Sequence, residues 1–146
     1  MKIVAANRRA RFDYEVLETL EAGMILTGPE VKSCRMGHVD LSGSYVSFLG
    51  GKPILKQSKI SKYPFASGAF DYAIGRDREL LLKKTEREKL ESLMTQKGVT
   101  IIPLEVHAGK FIKVLLGIAR GRKNIDKRQV IREREMSKKM RKGEEV

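Results

Sequence analysis

Alternating apolar and polar residues predict a series of β-strands in residues 1–119. From Phe12 to Leu20, "FDYEVLETL" mostly alternates, which is the period of a half-buried strand, and "EAG" then indicates a turn. The runs "SYVSFL" and "KPILKQSKI" flank Gly50-Gly51, a pair that readily adopts the positive φ angles of a tight hairpin. Two longer runs, "VTIIPLEVH" and "FIKVLLGIA", follow further along the chain. The pattern predicts about six strands.

Two segments carry helix start and stop signals. In "GPEVKSCRMG", Gly28 is the expected N-cap, Pro29 occupies the first helical position, and Gly37 ends the helix. In "TEREKLESLMTQKG", Thr85 and Glu88 have the spacing of a capping box. Strands joined by two or three short helices predict a mainly β fold, a small antiparallel barrel.

The segment from Lys62 to Glu79 has no clean period, and we interpret it as a long loop. It holds four aromatic residues, Tyr63, Phe65, Phe70 and Tyr72. Packing over the barrel end is the simpler interpretation of these side chains. Stacking on nucleobases is the alternative.

Net charge separates the last residues from the rest of the chain. The chain carries +12, and residues 119–146 hold 11 of its 30 Lys/Arg but only five of its 18 Asp/Glu. The apolar residues of this segment make no continuous helical stripe, so no core holds it in the free protein. We therefore predict a domain at residues 1–119 and a basic tail at 120–146 that is disordered when free.

Composition narrows the class of function. A sequence pI near 10.0 favours a polyanionic partner, with nucleic acid first and an anionic membrane second. The single Cys34 excludes an internal disulfide, and no apolar run approaches the roughly 18 residues of a membrane span. The run that precedes the first arginines is too short for a signal peptide. We expect a cytoplasmic protein that is monomeric when free and does not enter a membrane.

Catalytic chemistry has little support in the sequence. His38, His107 and Cys34 share no ligand-like spacing, so we predict no metal site. The chain also lacks both the phosphate-binding G-x-x-x-x-G-K-[ST] loop and a G-x-G-x-x-G that follows a strand. We predict a protein that is not an enzyme and that needs no cofactor.

Several short motifs place cations on separate parts of the predicted barrel. "NRRAR" near the start supplies Arg8 and Arg9, which form either an RNA contact or a solvated terminus. "KSCR" lies on the first predicted helix, and Arg76 and Arg78 follow the aromatic loop. Glu30, in the first turn of its helix, has a position that complements the helix dipole.

The stretch "NRRARFDYEVLETLEAGMILTGPEVKSCRMGHVDLSGSYV" closely resembles the opening of the SsrA-binding protein family, also called small protein B. The resemblance resumes at "RDRELLLKKTEREKL", at "TIIPLEVHAGKFIKVLLGIARGRKNIDKR" and in the charged tail. It implies an oligonucleotide-binding-type barrel. It also implies an RNA-binding adaptor that binds the tRNA-like domain of transfer-messenger RNA and delivers it to stalled ribosomes for trans-translation.

Resemblance and charge together give a set of predicted site residues. The predicted RNA-binding residues are Asn7, Arg8, Arg9, Glu30, Lys32, Arg35, Arg76, Arg78, Arg120, Arg122 and Lys123. The resemblance lifts a nucleobase contact of Glu30 above dipole complementation, although one side chain can do both. The predicted ribosome-contacting residues of the tail are Ile125, Asp126, Lys127, Arg128, Arg132, Arg134, Lys138 and Lys139.

The chain departs from the family pattern at two of its positions. Ile125 stands where the family usually has an aromatic residue or histidine before D-K-R, so an apolar contact would have to replace stacking there. Glu79 stands where a basic residue is common, which weakens the prediction for Arg76 and Arg78.

The expected partners are transfer-messenger RNA and the decoding site and messenger channel of a stalled 70S ribosome. We expect the tail to become helical there, once phosphates neutralise its arginines and lysines. The alternative is a structural ribosomal protein whose tail threads ribosomal RNA permanently. Salt-sensitive, partial sedimentation with ribosomes distinguishes the adaptor from that alternative.

Overall fold

An antiparallel sheet forms the frame of the computed structural model, which describes residues 2–64, 72–121, 128 and 131–135. Within these residues the strands are β1 (Lys2–Ala6), β2 (Tyr14–Met24), β3 (Val39–Asp40), β4 (Tyr45–Leu49), β5 (Lys52–Lys56), β6 (Lys59–Ile60), β7 (Arg78–Leu81), β8 (Val99–Ala108) and β9 (Ile112–Gly121). The helices are α1 (Arg8–Asp13), α2 (Gly28–Arg35) and α3 (Lys84–Leu93). Residues 131–135 of the tail are also helical.

Seven strands pair in the order β1-β8-β9-β2-β7-β5-β4, and β3 pairs with β6 in a separate ladder. The longest ladders join β9 to β2 and to β8, so β9 lies in the interior of the sheet between these two strands. The prediction of a mainly antiparallel β fold with short helices is confirmed. The described strands number nine instead of about six, and no ladder among them closes the sheet into a barrel.

The start of β2 differs from the sequence prediction. Phe12 lies in α1, and the strand runs from Tyr14 to Met24 with no turn at "EAG". The strand continues because its pairing with β9 continues through Ala22, which faces Val114. Both of these residues are buried, so a turn at this point would break the core.

The core lies against the inner face of this sheet. Its fully buried members include Leu55 of β5, Val114 and Leu116 of β9, Cys34 of α2 and Leu90 of α3. Helices α2 and α3 therefore each pack on the sheet through one short apolar face. Burial of each of these leucine and valine side chains contributes about 1.5–3 kcal/mol to folding.

Local signals give the ends of the elements with different accuracy. The hairpin at Gly50-Gly51 is confirmed, with φ angles of 58° and 79°, and Gly37 at 78° follows α2 as predicted. The N-cap of α2 is Thr27, one residue before the predicted position. The predicted capping box of α3 is wrong because its helix begins earlier, at Lys84, where the Lys83 N–H donates to Glu86 Oε1 at 3.1 Å.

A close contact between β8 and β9 requires a glycine at position 117. A Cβ atom at Gly117 would lie 2.9 Å from Leu104 Cδ1, and Leu104 is fully buried. We expect Gly117→Ala to lower the free energy of unfolding by about 1–3 kcal/mol, because the core must shift to admit the methyl group. Urea denaturation measures the loss. Gly121→Ala is the control, since among the described residues no heavy atom other than those of its chain neighbours lies within 4 Å of its Cβ position. Equal stability of the two variants would contradict the packing argument.

Candidate nucleic-acid interface

The predicted cations divide into exposed, buried and undescribed groups. Those on the surface are Arg8, Arg9, Lys32, Arg35, Arg120, Arg128, Arg132 and Arg134. Arg76 keeps 35% of its side chain exposed, and Arg78 is fully buried. Seven predicted residues lie outside the described part of the chain, namely Arg122, Lys123, Ile125, Asp126, Lys127, Lys138 and Lys139.

Asn7 is a buried residue whose side chain is used inside the protein. Its Nδ2 donates to the carbonyl of Leu41 at 3.1 Å and to that of Pro103 at 3.0 Å. Its Oδ1 accepts from the Ala10 N–H at 3.2 Å, which caps α1. The side chain thereby joins α1 to two distant segments, and all three of these bonds lie within the protein.

Glu30 forms a buried ion-pair network with two arginines from the other end of the aromatic loop. Arg78 donates to Glu30 Oε2 from Nη2 at 2.8 Å and from Nε at 3.0 Å. Arg76 Nε donates to the same oxygen at 3.0 Å, and its Nη2 contacts Oε1. The Thr27 N–H also donates to Oε1 at 2.9 Å, which completes the capping box of α2. The network thus fixes the helix to the loop and to β7.

Burial by itself raises the pKa of Glu30, but hydrogen bonds from Arg76, the Thr27 backbone and Arg78 outweigh it. The pKa therefore falls from 4.5 to about 2. The carboxylate is charged at neutral pH and has 0% exposure. Its role at the start of α2 is evident from the capping box.

The structure describes two of the four aromatic residues of the loop, Tyr63 and Tyr72. The Tyr72 hydroxyl donates to the Ile60 carbonyl at 2.8 Å and accepts from Arg78 Nη2 at 3.2 Å, so Tyr72 packs against the ion-pair network. The ring of Tyr63 lies 5.3 Å from Lys32 Nζ, a cation–π contact on the outer side of α2. Phe65 and Phe70 lie outside the described residues.

A groove between α2, the end of β2, β7 and the β8–β9 turn was not predicted from the sequence. Its exposed apolar residues are Phe111, Leu81 and Ile25, at 64%, 57% and 43% exposure. Its remaining apolar wall is formed by Met24, Leu26, Val31 and Ile112. The cations that border it are Arg35, Lys110 and Lys113. We call this surface the basic groove.

Arg35 connects α2 to the turn that carries Phe111. Its Nη1 donates to the Gly109 carbonyl at 2.8 Å, and its Nη2 donates to the Lys110 carbonyl at 3.3 Å. The guanidinium therefore holds the turn in place and still lies on the surface. A period of two in "FIKVLL" places Phe111 and Lys113 opposite buried Ile112, which is the sequence signal that identifies this face.

The described residues contain neither a metal-binding cluster nor a membrane-spanning helix. Within them, no group of His, Cys, Asp and Glu side chains has an arrangement that could hold a metal ion. No helix among the same residues is long and apolar enough to span a membrane.

The fold and its surface define a basic, mainly antiparallel β protein in which exposed cations border an apolar groove. The model of the SmpB protein family matches residues 4–145, and the chain belongs to this family. The resemblance noted in the sequence is therefore confirmed.

Individual relatives match over nearly their whole length. The SsrA-binding protein of Coprothermobacter proteolyticus is 44% identical over 143 residues, which are 97% of this chain and 95% of that protein. The SsrA-binding protein of Synechococcus sp. (strain JA-3-3Ab) is 45% identical over 92% of this chain and 88% of its own. A solved structure described as "tmRNA-SmpB: a journey to the center of the bacterial ribosome" contains a similar chain. It matches with a TM-score of 0.70 and 44% identity, over 85% of this chain and 87% of that one.

Removal of the Glu30 carboxylate tests whether the ion-pair network is structural. We expect Glu30→Ala to lower the free energy of unfolding by about 3–5 kcal/mol, because it leaves the Arg78 guanidinium buried without its counter-ion. Urea denaturation at pH 7 measures the change. Glu91→Ala, at an exposed position of α3, is the control.

The lowered pKa of Glu30 also predicts how the stability of the protein changes in acid. The contribution of Glu30 to stability is fully present above its ordinary pKa of 4.5, and it is lost as pH falls toward about 2. The stability of Glu30→Ala should therefore depend less on pH across that interval than the wild type does. Equal slopes in the two proteins would show that the carboxylate gains nothing from the network.

Proposed function

We propose that this protein is an RNA-binding adaptor, not an enzyme, that binds transfer-messenger RNA and brings it to stalled ribosomes for trans-translation. The observation that carries the proposal is the family match over residues 4–145, which spans both the sheet and the charged tail. The relatives are named SsrA-binding proteins, and the similar solved chain belongs to a tmRNA–SmpB structure. The proposal includes a cytoplasmic location.

The basic groove is the surface that we assign to the RNA. An exposed phenylalanine offers a face on which a nucleobase can stack, and nearby Lys and Arg side chains can hold phosphates. Phe111 lies between Lys110 and the strand that carries Lys113, so both kinds of contact occur within a few residues. A nucleobase that covers Phe111 and Leu81 would also remove exposed apolar surface from water.

Exposed cations outside the groove extend the proposed contact. Lys32 lies on α2 beside Tyr63, and Arg8 and Arg9 lie on α1. Arg120 lies at the far end of β9, from which the tail continues. We assign these residues to phosphate contacts, which strengthen binding without reading sequence.

The buried members of the predicted set have a different proposed role. Asn7, Glu30 and Arg78 hold α1, α2 and β7 in position, so their effect on RNA is through the surface that they support. Arg76 is the member of the ion-pair network that reaches the surface. With one carboxylate and two guanidinium groups, the network leaves one positive charge for a phosphate.

We also propose that residues 120–146 form a tail that contacts the ribosome, disordered when free and helical in the messenger channel. Exposed Arg132 and Arg134 in the helical residues 131–135 support the helical form. Phosphates would neutralise Arg128 and Arg132, which are four residues apart and repel one another along a free helix. For residues 1–119 we propose an oligonucleotide-binding-type barrel.

Substitutions in the groove test the RNA surface. Phe111→Ala should weaken binding of the isolated tRNA-like domain by about 1–3 kcal/mol, the scale of one stacked base. Lys113→Ala should reduce the slope of log K against log salt by about 1, as expected for one lost phosphate contact. Fluorescence anisotropy over a salt series measures both.

Leu49→Ala is the matched control, since Leu49 is 71% exposed at the end of β4 and lies outside the groove. It should bind as the wild type does. Affinities of Phe111→Ala and Lys113→Ala within twofold of the control would exclude the groove as the RNA surface.

Deletion of residues 124–146, which keeps the predicted RNA-binding residues Arg122 and Lys123, tests the tail separately. We expect the shortened protein to unfold at the same urea concentration and to bind the tRNA-like domain, because the sheet is complete without these residues. Addition of the tag to stalled peptides in a reconstituted translation system should be lost. A shortened protein that supports tagging at the full rate would contradict the proposed role of the tail.

A further inference from the structure

A line of alternating charges crosses the outer face of the sheet and ends at the basic groove. His107 Nε2 lies 3.1 Å from Glu105 Oε2, and Nδ1 lies 3.5 Å from Glu21 Oε2. Each carboxylate contacts a cation through its other oxygen. Arg11 Nη2 lies 3.2 Å from Glu105 Oε1, and Lys113 Nζ lies 3.3 Å from Glu21 Oε1.

These five residues come from α1 and three neighbouring strands. Lys113 faces His107 across the β8–β9 ladder, and Glu21 lies on β2, on the other side of β9. The side chain of His107 is only 18% exposed, so the two carboxylates are its principal neighbours. The charged groups of this line are Glu105 on β8, Glu21 on β2, Lys113 on β9 and Arg11 on α1, and the residue opposite His107 on the adjacent β1 is the uncharged Ile3.

The two protonation states of His107 have different effects on the two carboxylates. An imidazolium carries N–H groups on both nitrogens and can donate to Glu105 and to Glu21 together. A neutral imidazole has a single N–H, so one carboxylate faces a lone pair. The charge of the ring therefore decides whether Glu21 has one cationic neighbour, Lys113, or two.

Lys113 is the link between this line of charges and the groove. When His107 is neutral, Lys113 is the principal cation paired with Glu21, and the pair has no net charge. When His107 is charged, it shares Glu21, which weakens the attraction of Glu21 for Lys113 and leaves more of the Lys113 charge uncompensated at the groove. A nearby RNA phosphate is favoured in the second state.

We infer that His107 is a positioning residue for RNA binding, which controls through Glu21 how readily Lys113 reaches a phosphate. The inference rests on the proposed function and deepens it. Its consequence is that RNA affinity rises as pH falls through the range in which imidazoles gain a proton. Lys113 contacts the RNA, while His107 acts through its two neighbours.

Affinity for the tRNA-like domain at about pH 6 and pH 8 tests this inference, because imidazole titrates between these values. The wild type should bind about threefold more tightly at the lower pH, which is part of the roughly fivefold that the attraction between two unit charges about 4 Å apart, such as Glu21 and Lys113, is worth in water. The chain has two histidines, so two variants cover every imidazole. His107→Gln should lose the gain at low pH, while His38→Gln, at an exposed position after α2, should retain it.

Two further variants separate this inference from the proposed function. Glu21→Gln removes the partner of Lys113, so it should bind more tightly than wild type at pH 8 and show little pH dependence. Phe111→Ala should bind more weakly at both pH values with the ratio between them unchanged. If Phe111→Ala binds as wild type does, the groove is not the RNA surface.

A pH gain that persists in His107→Gln, or that disappears in His38→Gln, overturns the role of His107 and leaves the groove assignment intact. Urea denaturation of each variant at both pH values verifies that the sheet is folded. If His107→Gln does not fold, Glu21→Gln decides the inference, since a full pH gain in that variant also overturns it.

Discussion

The buried pair of Glu30 and Arg78 is the interaction on which much of the surrounding structure depends. Removal of two charges from water costs several kcal/mol for each ion, so the pair persists only because its hydrogen bonds are nearly complete. Glu30 accepts from Arg76, Arg78 and the Thr27 backbone. Arg78 also donates to the carbonyls of Ser58 and Ile74, at 2.9 and 3.0 Å. The pair thus fixes α2, the turn between β5 and β6, and the residues that lead into β7.

The same pair determines which face of α2 is available to a partner. Because Glu30, Ser33 and Cys34 are buried, the helix must present Lys32 and Arg35 to solvent. Arg35 then holds the β8–β9 turn, and that turn carries Phe111. The motif "GPEVKSCR" therefore contributes a buried carboxylate, Glu30, that anchors the helix, and two exposed cations, Lys32 and Arg35.

How much the sequence predicts depends on how local each interaction is. The Gly50-Gly51 hairpin, the two long strands and the helix after Pro29 follow from signals within a few residues. The burial of Glu30 depends on Arg78, which is 48 residues away. The short helix α1 depends in part on Asn7, whose partner Pro103 is 96 residues away. The groove was missed for the same reason, because four separate segments form it.

Strand β9 relates the two ends of the molecule to each other. It begins beside Phe111 at the groove and ends at Arg120 and Gly121, from which the tail continues. Its ten residues span about 30 Å at roughly 3.3 Å per residue. Both of its neighbours pair with it over most of that length, so bending it would break two ladders of hydrogen bonds. The sheet therefore fixes the distance between the groove that we propose for RNA and the start of the basic tail that we propose for the ribosome, as the proposed adaptor requires.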